Sequence, residues 1–415
     1  MTDFTTLGLD PRLLERLAEM NLTAPTPIQA RAIPPVLAGR DVMGLAQTGT
    51  GKTAAFGLPL IQMLTGQRRR PAPRGVHALI LAPTRELAKQ IEASLVLFAR
   101  GTPVRVLVVT GGASLNAQAD RLSKGCDILV ATPGRLLDLL ERRALSLAES
   151  RFLVLDEADH MLDMGFIHAL RRIVKVLPDR RQTLLFSATM PKLMAEVAAS
   201  YLRDPVRVEV APPGRPVEKI VQGVHFVAQG DKAKLLETYL DAHRAERAIV
   251  FARTKHGAEK LMKLLVSWGF GAGSIHGNKS QNQRDRALAD FRAGSLTVLV
   301  ATDVAARGID IPRVRHVYNY DLPNVPENYV HRIGRTARAG EQGRAVTLCA
   351  PAEMEELRAV EKAMQAAIPV VGGAAWAPER PEPQRGRPGP AAAPGKARQR
   401  SRRRPRRAEG QPRAA

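Results

Sequence analysis

The chain has 415 residues, 45% of them apolar and 25% charged, which is enough apolar material for two or three cored domains, and its formal net charge is +22. That balance, with an isoelectric point near 10.8, favours a polyanionic partner. The only two cysteines, Cys126 and Cys349, have no CxxC neighbour, which argues against a disulfide framework or thiolate zinc site and predicts two small core residues in a reducing cytoplasm.

No apolar run approaches the length of a membrane span, so no membrane partner is expected. Met1-Thr2-Asp3-Phe4 lacks the basic-then-apolar pattern of a signal peptide, and a cytoplasmic location is expected. In chain order, the first polar motif is Pro25-Thr26-Pro27-Ile28-Gln29. A glutamine amide donates and accepts side by side, which suits the edge of an adenine, so Gln29 is a candidate selector of ATP over GTP. Next, Asp41-Val42-Met43-Gly44-Leu45 runs into Ala46-Gln47-Thr48-Gly49-Thr50-Gly51-Lys52-Thr53, followed by helical Ala54-Ala55-Phe56. Strand, glycine-bearing loop and helix together make a phosphate cradle of backbone N–H groups. Lys52 would reach the β- and γ-phosphates, and the Thr53 hydroxyl would bind Mg²⁺. Ala46 stands where the generic pattern has glycine, and Gly49 and Gly51 supply the flexibility.

Short apolar runs then alternate with helical stretches such as 86–98. Residues 78–81 lead into Ala82-Pro83-Thr84-Arg85, and 106–109 into Thr110-Gly111-Gly112. Residues 128–130 lead into Ala131-Thr132-Pro133-Gly134, 152–155 into Asp156, and 183–186 into Ser187-Ala188-Thr189. This alternation predicts an α/β fold with a parallel sheet covered by helices on both faces. Ligands of such sheets bind at the carboxyl ends of the strands, where all of these motifs fall. Asp156-Glu157-Ala158-Asp159 ends a strand expected beside the phosphate loop. Asp156 is then the Mg²⁺ anchor, through water, and Glu157 the base that activates the attacking water.

The pattern breaks at Ala211-Pro212-Pro213-Gly214-Arg215-Pro216, which reads as a linker, and restarts with apolar runs at 248–251, 298–300 and 316–318. Ile128-Leu129-Val130-Ala131-Thr132 is echoed by Val298-Leu299-Val300-Ala301-Thr302, which suggests two related α/β lobes. His331-Arg332-Ile333-Gly334-Arg335-Thr336-Ala337-Arg338 is dense in donors. On a helix, Arg335 and Arg338 would share a face, and across a cleft from Lys52 they would act as arginine fingers. Hydrolysis would then require the lobes to close. From about Gly372 the composition collapses into Pro, Ala, Gly and Arg. Residues 371–415 hold twelve Lys/Arg against three Glu, a net +9, and predict a disordered tail that attaches to phosphates without reading sequence.

Together these motifs resemble, in order from Phe4 to about Gly343, the DEAD-box RNA helicases of superfamily 2. The resemblance implies two tandem RecA-like lobes with ATP between them and RNA crossing both. The expected layout is an ATP-binding lobe at 1–210, a linker at 211–217, a helicase lobe at 218–370 and the basic tail at 371–415. Phe4 matches the aromatic that accompanies the adenine-reading Gln29. Pro83, Thr84 and Arg85, Gly111 and Gly112, and Thr132, Pro133, Gly134 and Arg135 match RNA-contacting loops of the first lobe. Arg253, Arg284, Thr302 and Asp303 match RNA-side motifs of the second. Asp310 matches a carboxylate that meets the ATP ribose. Asp159, Ser187, Thr189 and His331 match residues that couple hydrolysis to unwinding. In place of the family's usual glycine and aromatic, the chain has Asn21 and Leu22. Segments 166–168 and 275–281 are similar to the bacterial RhlE-type subgroup. The activity implied is local, ATP-dependent separation of short RNA duplexes by a monomeric core. An ATP-gated RNA clamp or annealing chaperone is the alternative. Sequence physics alone does not separate RNA from DNA, because that depends on 2′-OH contacts; the resemblance decides for RNA.

Overall fold

The computed structural model describes residues 3–46, 49–66, 70–190, 192–210, 220–306, 313–337 and 342–376. The expected linker and the tail beyond Trp376 lie outside these residues. The first sheet comprises β1 (Val42–Leu45), β2 (Val76–Leu81), β3 (Val106–Val109), β4 (Cys126–Ala131), β5 (Phe152–Leu155), β6 (Gln182–Ser187) and β7 (Val206–Glu209). Its seven strands run in the order β3-β4-β2-β5-β6-β1-β7, with every pairing parallel. The second comprises β8 (Ile220–Phe226), β9 (Arg247–Phe251), β10 (Ala272–Ile275), β11 (Val298–Ala301), β12 (Val314–Asn319), β13 (Gly343–Cys349) and β14 (Val370–Gly372). Its order is β10-β11-β9-β12-β13-β8-β14, again with parallel pairings.

The second order repeats the first strand for strand. The echoed pentapeptides fall on corresponding strands, β4 and β11, so the two halves share one topology. A period of two sends alternate side chains to opposite faces. Ala78 and Ile80 enter one core with Phe56 and Leu95, whereas Leu79 and Leu81 enter another with Leu136 and Met161. The second sheet divides in the same way: Ile249 and Phe251 pack with Leu357, and Ala248 and Val250 with Leu261. Helices therefore cover both faces of each sheet, as the continuous apolar strands predict. Cys126 and Cys349 are buried thiols outside any disulfide, and burial pushes each up to about 12. No helix among the described residues is long and apolar enough to cross a membrane.

The repeat extends to side chains. Lys52 opens the helix that follows β1, and its Nζ lies 3.8 Å from Asp156, the residue after β5. Lys232 opens the helix that follows β8, and its Nζ lies 3.8 Å from Asp321, just beyond β12. In the second lobe, however, the Glu353 carboxylate pairs with the fully buried Lys232. An internal anion there occupies the lysine that the first lobe leaves facing its phosphate loop. A buried ammonium needs such a partner, because leaving it unpaired costs about 3–5 kcal/mol.

Two expectations are corrected. First, β5 is not beside β1, because β6 lies between them. The acidic motif reaches the phosphate loop through the Lys52 side chain. Second, the fold does not stop at residue 370: β14 pairs with β8, and Val224 N donates to Pro369 O at 2.8 Å. The compact unit runs to Ala375.

Candidate functional site

The phosphate loop turns at Gly49 and Gly51, whose φ values are +81° and +88°. At Gly51 the left-handed backbone favours glycine, and a Cβ there would lie 2.3 Å from Gln29 Nε2 and displace that amide. Gln29 is the N3 residue of the capping box that opens helix Pro27–Leu37, and its Oε1 accepts from Thr26 N at 2.9 Å. Its Nε2 donates to Gly51 O at 3.1 Å. The candidate adenine reader is thereby tied to the phosphate loop. Phe4 sits in the first lobe's core, and Leu22 is exposed. Ala46 N donates to Ser187 O at 3.0 Å, which ties the loop's first residue to the end of β6. Lys52 is buried, with its Nζ 3.2 Å from Ala46 O. Thr53 and Thr50 lie on the same loop-to-helix turn, partly exposed. Gln47 and Thr48 lie outside the described residues.

Asp156 and Glu157 are both buried. Burial pushes the Asp156 carboxyl up to about 6, against the pull of Lys52. The Thr53 hydroxyl and the Asp156 carboxylate are both oxygen donors, the kind Mg²⁺ prefers, and a dication would relieve that buried acid. Glu157 has a φ of +52°, a left-handed conformation that non-glycine residues adopt mainly at constrained sites. Burial raises the Glu157 carboxyl, but His160, Lys52 and Arg335 together hold it well below the usual carboxylate range. It is therefore ionised, as a base must be.

The acidic motif is joined to its surroundings on two sides. Asp159 Oδ2 accepts from Thr189 N at 2.9 Å, Thr189 Oγ1 at 2.8 Å and Ala188 N at 3.2 Å. Ser187 Oγ donates to Thr189 O at 2.7 Å. His331 of the second lobe brings its Nε2 within 3.7 Å of Asp159 Oδ2. All four expected coupling residues thus meet at one point. Arg335 is also buried here, and its Nε donates to His331 O at 3.2 Å. The expected shared helical face is corrected: helix Asn328–Ile333 ends at Gly334, so Arg335 lies in the turn beyond it. Arg338 and Asp310 lie outside the described residues.

A separate groove of about 460 Å³ is lined by both halves. Pro83, Thr84, Arg85, Gly111, Thr132, Gly134 and Arg135 contribute from the first lobe, and Arg284 from the second. Thr84 caps helix Arg85–Phe98 by accepting from Leu87 N, which fixes Arg85 at the groove. Gly112 packs against the Arg85 guanidinium, where a Cβ would lie 2.2 Å from Nη1. Pro133 is a buried helix opener behind this wall. Three other candidates are spent elsewhere. Arg253 Nη2 pairs with Glu353 at 3.1 Å and Glu356 at 3.5 Å. Asp303 accepts a two-pronged bond from Arg332, at 2.5 and 2.8 Å. Thr302 is buried beneath it and donates its N–H to Ile275 O.

Several site residues carry no signal in the sequence. Arg332 is fully buried, stacked over Phe251 at 5.1 Å, and donates to Asp321 O at 2.6 Å. It looks like one more cation in a basic run. The lobes are pinned by Glu86–Arg284 at 3.1 Å, Arg85–Gln281 at 3.0 Å and Lys89–Asp285 at 2.7 Å. His160 is buried and bridges Glu157 to His331.

Residues 26–197 match the family described as DEAD/DEAH box helicase, and residues 231–340 match the helicase conserved C-terminal domain. The chain is 44% identical over 376 residues to ATP-dependent RNA helicase CshA of Listeria monocytogenes, covering 91% of this chain and 71% of that one. Among solved structures it is similar to S. cerevisiae Dbp5 bound to RNA and ADP BeF3, with 32% identity and a TM-score of 0.80, over 90% of this chain and 96% of that one. It is also similar to Mss116p, with its NTE and C-tail deleted, bound to ssRNA and AMP-PNP. There the identity is 29% and the TM-score 0.82, over 91% of this chain and 80% of that one.

Proposed function

The chain belongs to the DEAD-box family of ATP-dependent RNA helicases, and from that premise we propose that it hydrolyses ATP in the cleft between its lobes and uses their closure to separate short RNA duplexes or remodel RNA–protein complexes. Gln29 reads the adenine, with Phe4 supporting it from the core. The loop from Ala46 to Thr53 holds the phosphates, with Lys52 on the β- and γ-groups, and Asp310 meets the ribose. Thr53 and Asp156 would hold Mg²⁺, which when bound would supply charge neutralisation at the phosphates. Glu157 takes the proton of the attacking water, and Arg335 and Arg338 offset the developing charge. The groove loops hold RNA by its backbone, a mode that positions without reading sequence.

One observation carries this reading. The contacts that complete the acidic site and the contacts that complete the groove are both interlobe contacts: His160–His331 on one side, Glu86–Arg284 and Arg85–Gln281 on the other. One closure therefore builds both, which couples nucleotide to RNA. ATPase rates without nucleic acid, with RNA and with DNA test it, beside a strand-displacement assay. RNA should stimulate far more than DNA, and displacement should need ATP. Stimulation without displacement would favour the clamp reading.

Gln29→Ala should relax the preference for ATP over GTP by roughly tenfold, the worth of about one hydrogen-bonded edge. It should also weaken binding of both nucleotides, because Gly51 O loses its donor. Competition binding is the measurement. Unchanged selectivity would mean that another group reads the adenine.

Removing residues 377–415 should leave an RNA-stimulated ATPase that binds RNA more weakly. The cut belongs after Trp376, because one after 370 deletes β14. The deleted segment carries the whole +9 of the tail. RNA affinity plotted against salt should fall less steeply for the truncated protein, because fewer counterions are released on binding. Parallel lines of equal slope would show that the tail makes no phosphate contacts.

A further inference from the structure

We propose that His160 is a positioning residue that transmits lobe closure to Glu157, an inference that rests on the reading of Glu157 as the base. His160 is buried, on helix Ala158–Asp163 of the first lobe. Its Nδ1 lies 2.9 Å from Glu157 Oε2, and its Nε2 lies 2.7 Å from Nδ1 of His331, on the second lobe. The two rings meet edge to face, with centroids 4.2 Å apart. Both ring nitrogens are thus used, one toward the base and one across the cleft.

A carboxylate oxygen accepts, so His160 Nδ1–H points at Glu157. His331 Nε2 lies 3.7 Å from Asp159 Oδ2, so the His331 ring spans from His160 to the acidic motif. The contacts then run from His331 Nδ1 to His160 Nε2, and from His160 Nδ1–H to Glu157 Oε2. A second-lobe ring fixes the His160 imidazole, and that imidazole holds one carboxylate oxygen of Glu157. Oε1 is the oxygen left for the water. Opening the lobes removes the contact at Nε2 and frees the imidazole to turn away from Glu157. The base is then misheld exactly when no RNA has closed the site.

The backbone supports this assignment. Glu157 is held in the left-handed region, and its N–H donates to Asp156 Oδ1 at 3.0 Å, so its main chain is fixed while its side chain depends on His160. His160 N donates to Asp159 Oδ1 at 3.0 Å, which aims the imidazole.

Isosteric variants separate the two halves of the relay. The Asn amide overlays imidazole Nδ1, and the Gln amide overlays Nε2. Steady-state ATPase with saturating poly(U) should fall about tenfold or more in His160→Ala, with the KM for ATP within about twofold of the parent. His160→Asn keeps a donor for Glu157 and should recover more turnover than His160→Gln. The loss caused by His331→Ala should be smaller in the His160→Ala background than in the parent, as residues of one chain are non-additive. Turnover in His160→Ala within about twofold of the parent, a loss carried by KM, Gln rescue equal to Asn rescue, or fully multiplicative losses with His331→Ala would each overturn the proposal. The Asn–Gln comparison carries the test if the alanine variant does not fold. Glu157→Gln, measured in parallel, separates the two readings: normal turnover there removes the base itself, whereas a dead Glu157→Gln beside an active His160→Ala removes only the relay.

Discussion

Glu157→Gln should leave ATP binding intact and lower hydrolysis by roughly 10²-fold or more, the usual worth of a general base. The substitution keeps the side chain's size, and the amide oxygen still accepts from His160 Nδ1, so the buried site keeps its packing and its bridge to His331. What it removes is the proton acceptor. Burial of an unpaired carboxylate would be unfavourable, yet His160, Lys52 and Arg335 surround this one with donors and positive charge and keep it ionised. The glutamine is neutral, so the attraction that depresses the Glu157 carboxyl is lost and some loss of thermal stability near neutral pH is expected beside the loss of hydrolysis. With hydrolysis blocked and closure preserved, RNA should stay bound longest in the presence of ATP. Single-turnover hydrolysis and RNA dissociation with ATP are the two measurements. Near-normal hydrolysis would show that another group takes the proton.

The parts legible in the sequence are those whose chemistry is local. Gly49, Gly51, Lys52 and Thr53 act within one turn, so their spacing alone reports a phosphate loop. Alternating apolar runs with polar ends report a parallel sheet and its ligand edge. Longer-range geometry is less legible. Nothing in the spacing of Asp156 says that β6 separates its strand from β1 or that Lys52 spans the gap. Gly334 stands inside a run that reads as one basic helix, but it ends the helix and leaves Arg335 in a turn. The role of Arg332 depends on Asp303, which is distant in sequence and comes to it only through the second sheet. His160 follows an acidic tetrad and has no partner nearby in sequence except Glu157; its other contact comes from the opposite lobe. The duplication was visible in five residues, yet its extent appears only in the matching strand orders and in the Lys52–Asp156 and Lys232–Asp321 pairs.

Arg335→Ala should lower RNA-stimulated hydrolysis by ~10³-fold or more while changing ATP affinity little, because arginine fingers contribute mainly in the transition state. The structure gives two reasons to expect so large an effect. Arg335 is buried, with its Nε bonded to His331 O, so the guanidinium is held by the same residue that bridges to His160. Its charge also acts on Glu157, which requires it to reach across from the second lobe to the first lobe's acid. A cation that arrives with the second lobe stabilises charge only after closure, so RNA stimulation should suffer more than basal turnover. Arg335→Lys keeps the charge but loses the planar fork, and should restore only part of the rate. The same direction is expected for Arg338→Ala. The decisive comparison is kcat with saturating RNA against the ATP dissociation constant, variant by variant. If Arg335→Ala loses mainly ATP affinity and keeps its turnover, Arg335 binds the ground state, and the charge that develops at the γ-phosphate must be met by Lys52 and the phosphate loop alone.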